Sequence, residues 1–186
     1  MDKKNIDIES AYQHSLNLLK KCSHKKGFLA STTPFENYKR IWARDGCIVG
    51  LSALLCKDEK LMETFKNTLI TLGEHQGRQG QIPSNVDPSK GKASYGMTSG
   101  RVDSSLWYVI GFSQYYKSTK DIDFLKKKID ILERTIKILE AWEYNQKDFI
   151  FIPDSGDWEG GVMPNYVLSG YALSLIPQLL PPLGRG

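Results

Sequence analysis

Two kinds of helical segment alternate along these 186 residues, and the alternation limits the folds open to the chain more than any other feature. Ile8, Tyr12, Ser15 and Leu19 fall along one face of a first helix. Leu61, Phe65, Leu69 and Leu72 do so in a later one, and Leu125, Ile129, Leu132, Ile136 and Leu139 in another, each with charge on the opposite side. Between them run segments that are apolar nearly all round, Ile48–Leu55, Val102–Tyr116 and Val167–Leu180, and helices of that kind require burial. The pattern describes two layers, an outer one facing water and an inner one enclosed by it. An up-down four-helix bundle would make every helix amphipathic to a similar degree, so the expected fold is all-α, an (α/α) toroid. A single short strand is predicted, at Phe149–Ile152, where an apolar run ends at Pro153.

Residues 1–186 read as one domain, with no linker and no low-complexity tract, and a chain of this length can bury a core. No apolar run approaches the roughly 20 residues of a membrane span. The N-terminus, Met-Asp-Lys-Lys-Asn-Ile-Asp-Ile-Glu, is charged where a signal peptide would be apolar, so a cytoplasmic location is expected. Cys22, Cys47 and Cys56 form no CxxC pair, which gives no support to a disulfide framework or a zinc site. The net charge of +4 comes mostly from lysines such as Lys126, Lys127 and Lys128, placed beside an apolar stripe as on a solvated helix face. A nucleic-acid partner would call for clustered Arg and Lys with interleaved aromatics, so neither nucleic acid nor membrane is expected.

The long connections, Gly27–Tyr38, Gly77–Gly100 and Gln146–Pro164, are rich in Gly, Pro and Asn, and each precedes an apolar helix. Loops of such length are usually functional or disordered, and these would gather at one end of the inner ring. Three acids recur there, roughly 60 residues apart or slightly fewer: Asp45 in Trp-Ala-Arg-Asp-Gly, Asp103 in Arg-Val-Asp-Ser-Ser-Leu-Trp and Asp157 in Ser-Gly-Asp-Trp. Each lies near the start of an apolar helix, where an Asp also serves as a plain N-cap. Their neighbours favour a ligand. Trp42, Trp107 and Trp158 each lie within four residues of an acid, Arg44 and Arg101 stand beside two of them, and Tyr95 and Tyr166 are near. Tryptophan faces stack on sugar rings, while carboxylates and guanidiniums hold hydroxyls by charge-assisted hydrogen bonds.

Glycoside hydrolysis needs a carboxylic acid to protonate the departing oxygen and a second carboxylate acting as base or nucleophile. Asp103 suits the first role if Val102, Leu106 and Trp107 favour its protonated form; Arg101 beside it favours the ionised one, and both outcomes stay open.

At Tyr38-Lys-Arg-Ile-Trp-Ala-Arg-Asp-Gly46, Gly80-Gln-Ile-Pro-Ser-Asn-Val-Asp-Pro88, Gly100-Arg-Val-Asp-Ser-Ser-Leu-Trp-Tyr108 and Ser155-Gly-Asp-Trp158 the chain resembles the (α/α)6-barrel glycoside hydrolases. The likeness is to the amylo-alpha-1,6-glucosidase (glycogen-debranching) and glucoamylase-like group, to which the neutral/alkaline invertases are related. The resemblance implies that Asp103 is the general acid. It also implies that Trp42, Arg44 and Asp45 line the sugar subsite nearest the cut, that Gln81 to Asn85 form a pocket loop, and that Asp157 and Trp158 add a further wall; Arg101 and Trp107 complete the expected substrate-binding set. It implies neither metal nor organic cofactor. The family barrel has twelve helices and this chain supplies about six, with no position matching the family's second carboxylate. A C-terminal truncation is therefore expected, as the self-interrupting tail from Pro177 also suggests. The function implied is hydrolysis of α-glucosidic bonds in oligosaccharides or glycogen branches. Two alternatives stand beside it: a sucrose-hydrolysing enzyme of the invertase type, and a non-catalytic sugar-binding half-barrel that self-associates through exposed inner helices.

Overall fold

The computed structural model describes residues 7–33, 38–96 and 102–141. Five α-helices dominate this part of the chain: α1 (Ile8–Cys22), α2 (Ala43–Cys56), α3 (Glu59–Glu74), α4 (Val102–Thr119) and α5 (Ile122–Glu140). α2 and α4 form the inner layer and α1, α3 and α5 the outer one, which makes the described residues part of an all-α, two-layer helical barrel. Twelve of the eighteen residues of α4 are buried, on every side of the helix. α3 and α5 bury one stripe each, Leu61, Phe65, Leu69 and Leu72 on the first and Phe124, Leu125, Leu132, Ile136 and Leu139 on the second.

Small residues set the spacing between layers. A side chain at Gly50 of α2 would run into the Phe65 ring of α3, and one at Gly46 would meet Thr68 on the same helix. On the other side, a Cβ at Gly111 of α4 would lie 2.9 Å from Cys47 Sγ. Phe65, Tyr108, Phe112, Tyr115 and Phe124 fill the space above these contacts, with Phe112 and Phe124 stacked at 4.9 Å between ring centroids.

Each inner helix passes to its outer neighbour by the same two-residue device. Lys57 (φ 53°) and Lys120 (φ 57°) turn the chain in left-handed backbone, and Asp58 and Asp121 then cap α3 and α5 by accepting from the backbone N–H of Leu61 at 3.1 Å and Phe124 at 3.0 Å. Each cap also meets a lysine of the preceding outer helix, Lys20 with Asp58 and Lys66 with Asp121, both at 2.6 Å. These contacts hold both carboxyls below their usual range, chiefly through the lysine hydrogen bond in each case.

The structure corrects several expectations. Among the described residues there are five short strands: a hairpin of β1 (Ser23–His24) with β2 (Gly27–Phe28), and an antiparallel sheet in the order β3 (Ile41–Trp42), β4 (Asn85–Asp87), β5 (Lys92–Ser94). Two or three residues are too few to show the period-2 alternation that marks a strand in sequence. The predicted strand at Phe149–Ile152 and the apolar segment Val167–Leu180 lie outside the described residues. α1 buries no residue fully; it rests on the core through Leu16 and Leu19, while Ile8 and Tyr12 are exposed. Nor is α2 enclosed all round, since Ile48 and Leu55 are exposed. No described helix is long and apolar enough to cross a membrane.

Two outcomes are expected. Gly50→Ala should cost about 1–3 kcal/mol by overpacking against Phe65, read from urea unfolding. For Asp58 and Asp121 the folded pKa is depressed, so their contribution is complete above the unfolded value of about 3.9 and is lost as pH falls below it. Asp121→Asn, which keeps a capping oxygen but not the charge, should therefore retain helix capping and show a shallower loss of stability between pH 4 and pH 2 (approximate limits) in acid unfolding followed by circular dichroism.

Candidate active site at the heads of the inner helices

The strand-to-helix junction at Trp42 places the first candidate residues. Trp42 ends β3 in extended backbone (φ −93°, ψ 138°) and is also the N-cap of α2, with no side-chain capping bond. Arg44 and Asp45 follow in the first turn. Asp103 is the second residue of α4. Neither acid is the plain N-cap that its sequence position allowed, but both stand in a first turn, where the helix dipole favours a carboxylate.

α2 and α4 run in the same direction, since Arg44 meets Asp103 near their starts while Leu54 and Lys57 lie near Gln114 and Lys117 at their ends. That brings the two acids to one end of the inner layer. Arg44 bridges them: Nη1 is 3.3 Å from Asp103 Oδ2 and Nη2 is 3.3 Å from Asp45 Oδ2. Both contacts are longer than the 2.7–2.9 Å typical of charge-assisted bonds, so the fork is shared rather than committed to one partner. The two carboxyls differ in surroundings. Asp103 is buried, its side chain 3% exposed, whereas that of Asp45 is 47% exposed. Ser104 Oγ lies 3.5 Å from Asp103 Oδ1. Among the described residues Arg44 brings a positive charge to Asp103.

The stretch from Gln81 to Asn85 is stitched to both helix starts. Ile82 N donates to Ser105 Oγ at 3.0 Å, and Ala43 N donates to Ser84 O at 3.0 Å. Asn85 is buried in β4, opposite Trp42 on β3 and Ser94 on β5, and its Oδ1 accepts from Arg40 Nη1 at 3.0 Å. Gln81 is half-buried, with its side chain laid over Gly77. Gly80 (φ 108°) packs against the carbonyl of Arg134, so only a residue lacking Cβ fits there. Arg134 Nη2 in turn donates to Gly77 O at 2.9 Å and anchors the loop to α5. Tyr95, near the acids in sequence, donates to His75 O at 2.7 Å and ties the end of the β4–β5 hairpin to α3.

Trp107 follows Asp103 by one turn of α4 and is half-buried. It lines a cavity of roughly 670 Å³ with Leu51, Leu54, Ile110 and Gln114, between α2 and α4 and toward their C-terminal ends. Arg101, Asp157, Trp158 and Tyr166 lie outside the described residues. Cys22, Cys47 and Cys56 are free thiols, and burial pushes the Cys47 thiol far above its usual range, leaving it a packing group. Among the described residues no three His, Cys, Asp or Glu gather as a metal site would require.

Sequence reasoning missed Arg40 and Ser105. Arg40 stands two residues before Trp42, so an extended run would have put both on one face. Nothing local marks Ser105, whose role depends on a loop more than twenty residues away.

The family of this two-layer α/α barrel places it in the class of glycoside hydrolase-like proteins. The family model for amylo-alpha-1,6-glucosidase matches residues 13–149, and the chain belongs to that family. No curated protein matches the chain.

The Arg44 bridge generates a stability prediction. Arg44→Met removes a positive partner from a buried carboxylate and should cost about 1–3 kcal/mol in urea unfolding at neutral pH. Adding Asp103→Asn should recover part of that loss, a coupling read from the double-mutant cycle.

Proposed function

We propose that the chain hydrolyses α-glucosidic bonds of oligosaccharides or glycogen branches, with a carbohydrate as substrate and no cofactor. The observation that carries the reading is the juxtaposition of Asp45 and Asp103, from two different inner helices, on the single guanidinium of Arg44. Residues 1–186 act as one domain in this reading, located in the cytoplasm.

Asp103 is the general acid. Its burial favours the protonated form and Arg44 favours the ionised one, so a group poised between them is suited to give up a proton in the reaction. It protonates the glycosidic oxygen, the bond from that oxygen to the anomeric carbon breaks, and water supplies the hydroxyl of the released sugar; the water's proton goes to a second carboxylate, the partner for which this sequence has no position matching the family's. Asp45, half exposed and also held by Arg44, binds sugar hydroxyls with it; in this reading Trp42, at the strand-to-helix junction just before them, supplies the ring that stacks on the sugar. Asn85 and Gln81 line the loop side. Arg101, Trp107, Asp157 and Trp158 complete the substrate-binding set, on grounds of sequence.

Glucose release from a branched dextrin is the direct test. Asp103→Asn should lower it by roughly 100-fold or more, the usual contribution of a general acid, with helix content and melting temperature nearly unchanged. Turnover by that variant close to wild type would remove Asp103 from the role. Release of hexose from sucrose in preference to the dextrin would move the chain to the invertase type, and binding without turnover would leave a sugar-binding half-barrel.

A further inference from the structure

Sequence does not single out Arg40, yet the structure gives it a definite partner in the pocket loop. A guanidinium can only donate, so the atom it meets on Asn85 must be the amide oxygen, and Nη1 stands 3.0 Å from Oδ1. Pinning the oxygen decides the other end of the amide, because the NH2 group then points away from Arg40. The contact spans 45 residues of sequence and joins the run into β3 to β4. Trp42 and Asn85 are directly opposed in the β3–β4 ladder, and directly opposed side chains share a face. Asn85 is 3% exposed, so either of its polar ends left without a partner is costly. Without a charged donor beside Oδ1, little distinguishes the two orientations of the amide.

We infer that Arg40 is a positioning residue for carbohydrate binding: it holds the Asn85 amide with Oδ1 on the guanidinium and Nδ2 turned away from it, as a donor for a sugar oxygen. This rests on the carbohydrate reading above. It assigns Asn85 a single polarity, so that the ligand group it meets must be an acceptor, a hydroxyl or ring oxygen. The arginine touches no reacting atom. Its effect passes wholly through Asn85.

The test uses the isotope-labelled chain with maltotriose as the probe, the Asn85 side-chain amide signals being assigned by their loss in Asn85→Asp. Without sugar, Arg40→Met should move the Asn85 amide signals, and Arg40→Lys, which keeps a cationic donor, should leave them close to wild type. With maltotriose, Arg40→Met should raise Kd roughly tenfold and abolish the response of the Asn85 amide, while the Trp42 indole signal still responds. If Arg40→Met folds poorly, Arg40→Gln is judged by the same two readouts. An Asn85 amide indifferent to loss of Arg40, or an affinity unchanged by it, overturns the inference. A wild-type chain in which no site residue responds to maltotriose sinks the carbohydrate reading itself, and the sugar-free comparison still decides whether Arg40 orients Asn85.

Discussion

The close approach of α2 to both α3 and α4 is the constraint on which the rest of the structure depends. α2 carries glycine where α3 presses on it, at Gly46 and Gly50, and the small Cys47 where it meets Gly111 of α4. Backbones brought this near leave no room for adjustment, because protein interiors are packed as tightly as crystals. The register of α2 against α4 follows, and with it the meeting of Arg44 with Asp103. A site built from side chains of two helices is only as precise as the spacing between those helices.

That spacing also explains how one arginine serves two acids of different character. Asp103 is placed on a helix buried on all sides, where ionisation is opposed by desolvation. Asp45 is placed on a helix whose first turn is partly open, so its charge is solvated and its pair with Arg44 contributes little to stability.

The outer layer is held by a repeated unit that contributes no chemistry. Lys57-Asp58 and Lys120-Asp121 each turn the chain out of an inner helix and cap the next outer one, and each cap accepts a lysine from the outer helix before it. The repeat fixes the outer helices relative to one another at the end of the barrel away from the candidate site. The capping repeat and the candidate site thus lie at opposite ends of the inner helices.

The layer order was legible in sequence for α3, α4 and α5, because the period and completeness of apolar positions report on how many sides of a helix meet protein; α1 and α2 leave apolar residues such as Ile8 and Leu55 exposed. Asp45, Asp103, Trp42 and Arg44 were legible too, as chemically matched residues heading apolar helices. What sequence could not convey was partnership. That Arg44 reaches Asp103 on a neighbouring helix, and that Arg40 holds the Asn85 oxygen, are contacts between residues far apart in the chain, and local pattern carries no information about them. The short strands escaped notice for a related reason: a pair of residues has no periodicity, and only the neighbouring strand makes it part of a sheet. Sequence by itself determined the composition of the layers and the residues available for chemistry. The tertiary structure alone decided which of them meet, because distance between side chains is set by the packing of whole helices.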